Sequence, residues 1–256
     1  MSIMRYVYFS VLWLVLWSVG HTETLRVATY NLRNYLITDR VTDHGWRPDY
    51  PKPEAEKAAL RKAILQVNPD VILLQELGPE PFVKELQGDL ALEGLDYTFA
   101  SVGVGNDPVR HLGILSKREP VEVHLHRDMD FKYFDARLPV KRGLLEVVFE
   151  DADGGIFKLF GVHLKSRWSD VDADPGAELR RTREAEAYRN RVIERTYDLG
   201  VTRFLIAGDF NDQPGSATFR RFEKRGHLEI ASRVTAEDSR REVWTHYYEK
   251  LGAYTL

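Results

Sequence analysis

A group of polar residues, Gly208-Asp209-Phe210-Asn211-Asp212, follows the apolar run 204–207. The apolar run predicts a short buried strand, and Gly208 lets the backbone bend where that strand ends. On an extended backbone, Asp209 and Asn211 would point to one side and Phe210 to the core. A carboxylate beside an amide suits an anionic group and the water that attacks it. Taken alone, the stretch equally fits a strand-end turn capped by Asx side chains.

Three other predicted strands also end in polar residues. Asn31 and Glu76 each follow an apolar run, and His163 lies at the end of a third. A single strand-end glutamate is more often a surface residue, and a single histidine is more often a hydrogen-bonded structural one. Together with Asp209 and Asn211, however, they favour one site built from several strand ends.

Hydrophobic periodicity predicts the elements that position these residues. Strands are expected over 24–30, 70–75, 97–102, 112–116, 121–125, 143–149, 156–164 and 204–207. Helices are expected over 54–67, 79–90, 177–200 and 216–224, and the proline-containing stretch 38–53 is expected to be a loop. The strands around Asp153-Gly154 form a predicted hairpin, so the sheets are mixed. Two such sheets with helices outside predict an α/β sandwich.

Length and composition narrow the class of protein. The chain has 256 residues, 43% hydrophobic and 29% charged, with a formal net charge of −3 and no cysteine. These values predict one globular domain without disulfides, and they argue against a strongly basic nucleic-acid coat. Residues 1–20 combine Arg5 with an apolar run and a small-residue end, which is typical of a secretory signal peptide. We therefore expect a domain over 21–256, a secreted or periplasmic location, and no stable membrane insertion after signal cleavage.

The sequence resembles the endonuclease/exonuclease/phosphatase superfamily, which has the DNase I-like fold. Five stretches carry the resemblance in the family's order: Ala28-Thr29-Tyr30-Asn31-Leu32-Arg33, Leu73-Leu74-Gln75-Glu76, Gly113-Ile114-Leu115-Ser116, Gly161-Val162-His163-Leu164-Lys165-Ser166 and Gly208-Asp209-Phe210-Asn211-Asp212. The resemblance implies a four-layered α/β sandwich with two mixed β-sheets and the site at one end of them. It also implies Mg²⁺-dependent cleavage of phosphate esters, with Mn²⁺ or Ca²⁺ as alternative ions.

The same resemblance implies a role for each strand-end residue. Glu76 is similar to the principal metal ligand, with Asn31 beside it, directly or through water. A few hard oxygen ligands suit Mg²⁺, which keeps most of its waters. His163 resembles the histidine that hydrogen-bonds the phosphate and helps the leaving oxygen. Asp209 and Asn211 resemble the pair that orients the attacking water and holds a non-bridging oxygen.

Basic residues near these motifs are candidates for binding substrate phosphate. Arg110 and His111 precede the strand predicted over 112–116, and Lys165 and Arg167 follow the His163 motif. Ordinary loop charge is the alternative for each of them. Arg142, before the predicted hairpin, is left as a structural residue.

One family motif has no match in this sequence. The family's last motif is an Ile-Asp strand followed by Ser-Asp-His, which carries the general base, and neither His227 nor His246 follows an aspartate. On this resemblance we expect the domain to lack its last strands, one sheet to expose an apolar edge, and hydrolysis to be impaired by roughly 10²–10⁴-fold.

Several functions remain open from the sequence. The leading hypothesis is an exported, monomeric, Mg²⁺-dependent phosphodiesterase that acts on phosphate esters such as DNA or RNA without sequence specificity. A phosphatase or a sphingomyelinase-like lipid phosphodiesterase would use the same site. A non-catalytic relative that retains the fold is the alternative outside enzymes.

Overall fold

The structure is a computed structural model, and it describes residues 24–235, 237–243, 245–248 and 252–254. The predicted signal segment, 1–20, lies outside these residues. No helix in the described ranges is both long enough and apolar enough to cross a bilayer.

The described chain contains sixteen strands and four α-helices. The strands are β1 (Val27–Tyr35), β2 (Thr38–Thr42), β3 (Gly45–Tyr50), β4 (Val71–Leu77), β5 (Phe99–Gly103), β6 (His111–Ser116), β7 (Glu122–His126), β8 (Asp130–Tyr133), β9 (Ala136–Pro139), β10 (Leu144–Glu150), β11 (Ile156–His163), β12 (Phe204–Asp209), β13 (Lys224–Arg225), β14 (Leu228–Glu229), β15 (His246–Tyr248) and β16 (Gly252–Tyr254). The helices are α1 (Glu54–Val67), α2 (Glu80–Leu92), α3 (Glu178–Arg195) and α4 (Ala217–Glu223), with a 3₁₀ turn at Tyr197–Leu199.

Two four-stranded sheets form the body of the molecule. Their strand orders are β1-β4-β6-β5 and β12-β11-β10-β7. In each sheet one pair is parallel, β1 with β4 and β11 with β12, and the other pairs are antiparallel. The predicted mixed α/β fold is therefore confirmed.

The sheets pack face to face through one apolar core, and each carries helices on its other face. Val71, Leu73 and Ile114 of the first sheet share a buried cluster with Val147 and Leu159 of the second. Helices α1 and α2 cover the outer face of the first sheet, and α3 and α4 cover the outer face of the second. The order helix, sheet, sheet, helix is the four-layered sandwich that the sequence predicts.

The stretch 38–53 is not the loop that its prolines predict. It contains the hairpin β2–β3, in which Val41 pairs with Trp46 and Thr38 pairs with Tyr50. Pro48 is tolerated because it lies where the register of the hairpin shifts and has no register partner on β2. A second hairpin, β8–β9, was not predicted, because each strand has only four residues.

Strand β12 is the last member of its sheet within the described ranges. An open cavity of about 790 Å³ runs beside it, lined by apolar groups that include Val27, Phe204, Ile206, Phe210 and Phe222. The expectation that the domain lacks its last strands stays a prediction.

Candidate active site

The parallel pair β1–β4 brings Asn31 and Glu76 to the same end of the first sheet. Asn31 pairs with Gln75, and the register then shifts, so that Glu76 leaves the regular ladder at a bulge. The backbone N–H of Asn34 donates to Glu76 Oε2 at 2.9 Å, and that of Arg33 donates to Asn31 Oδ1 at 2.8 Å. The last, irregular part of β1 thus holds both side chains at the sheet end.

The parallel pair β11–β12 does the same in the second sheet, because His163 is the register partner of Asp209. Gly208, at φ +148°, makes this pairing possible. A Cβ at this position would overlap the backbone carbonyl of Val162, so only glycine allows the two strands to lie this close.

These side chains of the two sheets converge on one point. Asn31 Nδ2 donates to Asp209 Oδ2 at 2.8 Å, across 178 positions of sequence. His163 Nε2 lies 3.9 Å from Glu76 Oε1 and 3.9 Å from Asp209 Oδ2. We call these four residues the site cluster. The sequence predicted each member, and the structure brings all four together.

Asn211 joins the site cluster by a different geometry from the predicted one. Strand β12 ends at Asp209, and Asn211 adopts a left-handed φ of 52°. Its N–H donates to Asp209 Oδ1 at 2.8 Å, and its Nδ2 donates to the carbonyl of Leu164 at 3.0 Å. The turn is therefore an Asx turn, and the extended alternation assumed from the sequence is wrong. Phe210 does turn inward, onto Phe219 and Phe222.

Backbone strain is concentrated at this end of the sandwich. Of nine non-glycine residues with positive φ in the described chain, four flank or belong to the site. They are Arg33, Asn34, Glu76 and Asn211. Left-handed backbone costs stability for residues other than glycine, and such strain is typical of functional sites.

Burial and charge act in opposite directions on the two central groups of the site cluster. Burial, followed by the positive charges of Arg142 and Arg110, lowers the pKa of His163 well below its usual value. Burial raises the pKa of Asp209, the hydrogen bonds from Asn31 and Asn211 lower it, and the Glu76 carboxylate raises it. The site therefore holds a neutral imidazole beside two carboxylates that repel each other.

Arg142, left as a structural residue from the sequence, lies at this site. It is buried, its Nε lies 3.2 Å from Asp107 Oδ2, and its Nη1 has no hydrogen-bond partner within the described chain. Its charge reaches both His163 and Asp209. The register of the predicted β10–β11 hairpin was the signal that would have placed Arg142 at the site. Leu145 pairs with Gly161 in the antiparallel β10–β11 ladder, so the start of β10 lies opposite the end of β11.

The two predicted substrate-binding residues around the start of β6, Arg110 and His111, differ in their surroundings. Arg110 Nε donates to Asn34 Oδ1 at 2.7 Å, which puts its guanidinium beside the chain that holds Glu76. His111 is only 3% exposed, on β6, and burial lowers its pKa. The contact of His111 with substrate phosphate stays a prediction.

Lys165 and Arg167 follow the site histidine into the loop before α3. The Lys165 ammonium donates to Ser166 O at 3.2 Å and to the carbonyl of Trp168. Arg167 Nη2 lies 3.8 Å from Asp212 Oδ1, next to the Asx turn. Both cations thus lie in the loop that follows His163, and Arg167 is next to the Asx turn.

The donor chemistry at the site fits Mg²⁺. No group of three or more His, Cys, Asp or Glu side chains in the described ranges has the arrangement of an all-protein metal site. Magnesium, however, is usually bound through one or two carboxylates and keeps several waters. Glu76 and Asn31 supply hard oxygens, and the repulsion between Glu76 and Asp209 would be relieved by a cation.

Sequence comparison identifies the family. The model of the endonuclease/exonuclease/phosphatase family matches residues 28–255, which is most of the chain. The chain belongs to the endonuclease/exonuclease/phosphatase family. All three activities in that name hydrolyse phosphate esters, so family membership gives the class of reaction. No curated protein matches the sequence significantly.

Solved structures of other proteins share the fold. The catalytic domain of human nocturnin, solved with a bound sulfate, is 17% identical, with a TM-score of 0.56, over 77% of this chain and 68% of that one. A Staphylococcus aureus beta toxin mutant with bound magnesium ions is 16% identical, with a TM-score of 0.50, over the same shares of the two chains. At this identity the likeness shows the fold alone, which is the DNase I-like sandwich described above.

Proposed function

We propose that the protein is a Mg²⁺-dependent phosphodiesterase, with the site cluster as its catalytic centre. One observation carries the proposal: His163 Nε2 lies at equal distance, 3.9 Å, from the carboxylates of Glu76 and Asp209. A neutral donor between two acidic groups, at one end of a sandwich, suits a phosphate group and its attacking water.

Glu76 and Asn31 would hold the metal ion. Glu76 Oε2 accepts the Asn34 N–H, which leaves Oε1 on the side of His163. Bound Mg²⁺ would neutralise charge that builds on the phosphate oxygens. Mn²⁺ and Ca²⁺ offer the same preference for oxygen ligands and are expected to substitute with different efficiency.

The protein's own groups would position the reacting atoms. His163, kept neutral by burial, would donate its Nε2–H to a phosphate oxygen. Asp209, whose pKa is raised by burial, would accept a hydrogen bond from the attacking water. Asn211 uses its Nδ2 on the Leu164 carbonyl, and the second hydrogen of that amide is available for a non-bridging oxygen.

Arg142 and Arg110 would add positive charge around the phosphate. The buried guanidinium of Arg142 is fixed against Asp107, so little reorganisation is needed when negative charge develops. Arg110 is held by Asn34. Preorganised donors of this kind typically contribute about 10²–10³-fold to a rate.

The N-terminal segment supports a proposal of export. Residues 1–20 have the composition of a secretory signal peptide, and a cysteine-free chain is compatible with either redox environment. Secretion or periplasmic location, together with a monomeric state, completes the proposed function. Size-exclusion chromatography of exported material, with N-terminal sequencing, would test both.

The decisive experiment compares three substrates in Mg²⁺ and in EDTA. Plasmid nicking, release of phosphorylcholine from sphingomyelin, and release of inorganic phosphate from a monoester would be measured for the full chain and for Glu76→Gln. We expect phosphodiester cleavage in Mg²⁺ only, and a loss with Glu76→Gln. The proposal is wrong if EDTA changes none of the three rates.

A further inference from the structure

An exposed tryptophan follows the site histidine in the loop before α3. Trp168 is 72% exposed and follows His163 by five positions. The ammonium of Lys165 lies 5.5 Å from the centroid of its ring and donates a hydrogen bond to its backbone carbonyl. A tryptophan indole is usually largely buried, so this exposure indicates a binding role. We call Lys165 and Trp168 the platform.

The platform is tied to the turn that carries the site residues. The Lys165 N–H donates to Glu184 at 2.9 Å, and its carbonyl accepts Arg181 Nη1 at 3.3 Å. The same Arg181 donates from Nε to Asp212 Oδ2 at 3.2 Å, and Glu184 and Arg181 both belong to the buried face of α3. The backbone at Lys165 is therefore held relative to the Asx turn, and the Lys165 side chain in turn contacts Trp168.

The surroundings of the platform are positively charged. Burial and then the charges of four cations lower the pKa of Lys165 to about 8. These cations are Arg180, Arg142, Lys141 and Arg181. Asp170 and Asp172, from the same loop, are exposed to solvent. This side of the site thus favours an anionic ligand and repels a cationic one.

We propose that Trp168 stacks on a nucleobase beside the scissile phosphate, which makes the substrate a nucleotide phosphodiester. The inference rests on the proposed function and selects among its substrates. A quaternary ammonium headgroup would meet a ring that already carries an ammonium on one face, among several other cations. A neutral base offers its π-face to the ring, while its phosphates meet the surrounding positive charge.

Binding measured without turnover tests the proposal. A fluorescein-labelled oligothymidylate and an abasic oligomer of equal length and charge would be titrated with the full chain in EDTA. Base stacking on an aromatic side chain gives the expected loss with Trp168→Leu, about tenfold or more in affinity for the base-bearing oligomer only. Trp168→Phe should retain most of that affinity.

Leu92→Ala is the matched control. Leu92 is 89% exposed at the last residue of α2, which begins just beyond Glu76 and runs away from it. We expect this variant to bind both oligomers like the parent chain.

The inference would be overturned if Trp168→Leu lowered the affinity for both oligomers equally, or if it lowered the affinity for neither. Binding of phosphatidylcholine–sphingomyelin vesicles that depends on Trp168 would also overturn it, in favour of a lipid substrate. These outcomes are distinct from failure of the proposed function, which is read from hydrolysis with and without EDTA. Absence of metal-dependent hydrolysis would refute the enzyme and leave the base dependence of binding as a separate measurement.

Discussion

Two polar clusters, one where the two sheets meet and one on the outer face of the second sheet, show how differently the same kinds of side chain are used. The first is the site cluster. The second, which we call the ion-pair cluster, lies between that sheet and α3 and contains His126, Glu146, Lys158 and Arg195. Glu146 is fully buried and accepts hydrogen bonds from Lys158 at 2.8 Å, Arg195 at 2.8 Å and His126 at 2.7 Å.

The clusters differ in how far their hydrogen bonds are satisfied. In the ion-pair cluster, His126 Nδ1 contacts Arg191 at 2.7 Å, and because arginine can only donate, Nε2 carries the proton toward Glu146. In the site cluster, His163 Nδ1 has no hydrogen-bond partner among the described residues, and its Nε2 lies 3.9 Å from both neighbouring carboxylates. Saturated bonding is typical of a structural role, and unused capacity is typical of a site awaiting a ligand.

The pKa values of the two carboxylates follow the same division. Burial would raise the pKa of Glu146, but the hydrogen bonds from His126, Arg195 and Lys158 outweigh it and hold the pKa at about 2. For Asp209, burial prevails, and its pKa is raised. The fold therefore stabilises the charge of Glu146 fully and leaves that of Asp209 poorly compensated.

The largest expected effect is on activity, from His163→Leu. Removal of a hydrogen-bond donor to the phosphate should lower hydrolysis by about 10²–10⁴-fold. The free energy of unfolding should change little, because an apolar group of similar size replaces a buried group whose hydrogen bonds are incomplete. Steady-state rates and urea unfolding of the same preparation would measure both. A large loss of stability with full activity would contradict the assignment of the two clusters.

Glu146→Gln should give the opposite pattern. It keeps the shape of the side chain but leaves Lys158 and Arg195 without their anion, and breaking a buried ion pair costs about 3–5 kcal/mol. We expect a lower urea midpoint, with activity per folded molecule unchanged. Lys117→Met, which removes a half-exposed partner of Asp70 at 3.2 Å, is the control and should have an effect of about 1 kcal/mol or less. A similar cost for both variants would remove the distinction between buried and surface pairs.

The smallest expected effect is the pH dependence of stability due to Glu146. Its direction follows from the sign of the pKa shift. Its folded pKa of about 2 lies below the ordinary 4.5, so its contribution to stability is fully present above pH 4.5 and is lost as the pH falls toward 2. A depression of this size corresponds to at most about 3 kcal/mol. The stability difference between the parent chain and Glu146→Gln should therefore shrink across that window. A difference that stays constant down to pH 2 would show that Glu146 does not titrate as inferred.

The sequence by itself determined the fold class and most of the site. Apolar runs that end in Asn31, Glu76, His163 and Asp209 indicated the candidates, and the family resemblance joined them into one site. Parallel pairing then explains why Asn31 lies near Glu76 and His163 near Asp209. Local periodicity also predicted α1, α2, α3 and α4, since each buries one face against a sheet.

Only the tertiary structure decided the features that depend on contacts between distant segments. The left-handed turn at Asn211 and the position of Arg142 depend on pairing within the second sheet, and the 3.9 Å spacing around His163 requires the two sheets to meet. The hairpin β2–β3 was missed because its prolines read locally as loop, whereas the shift in its register tolerates Pro48. The sequence pattern predicts which side chains lie at the end of a strand. The burial and charge of the site cluster, in contrast, are set by residues that are far apart in the chain.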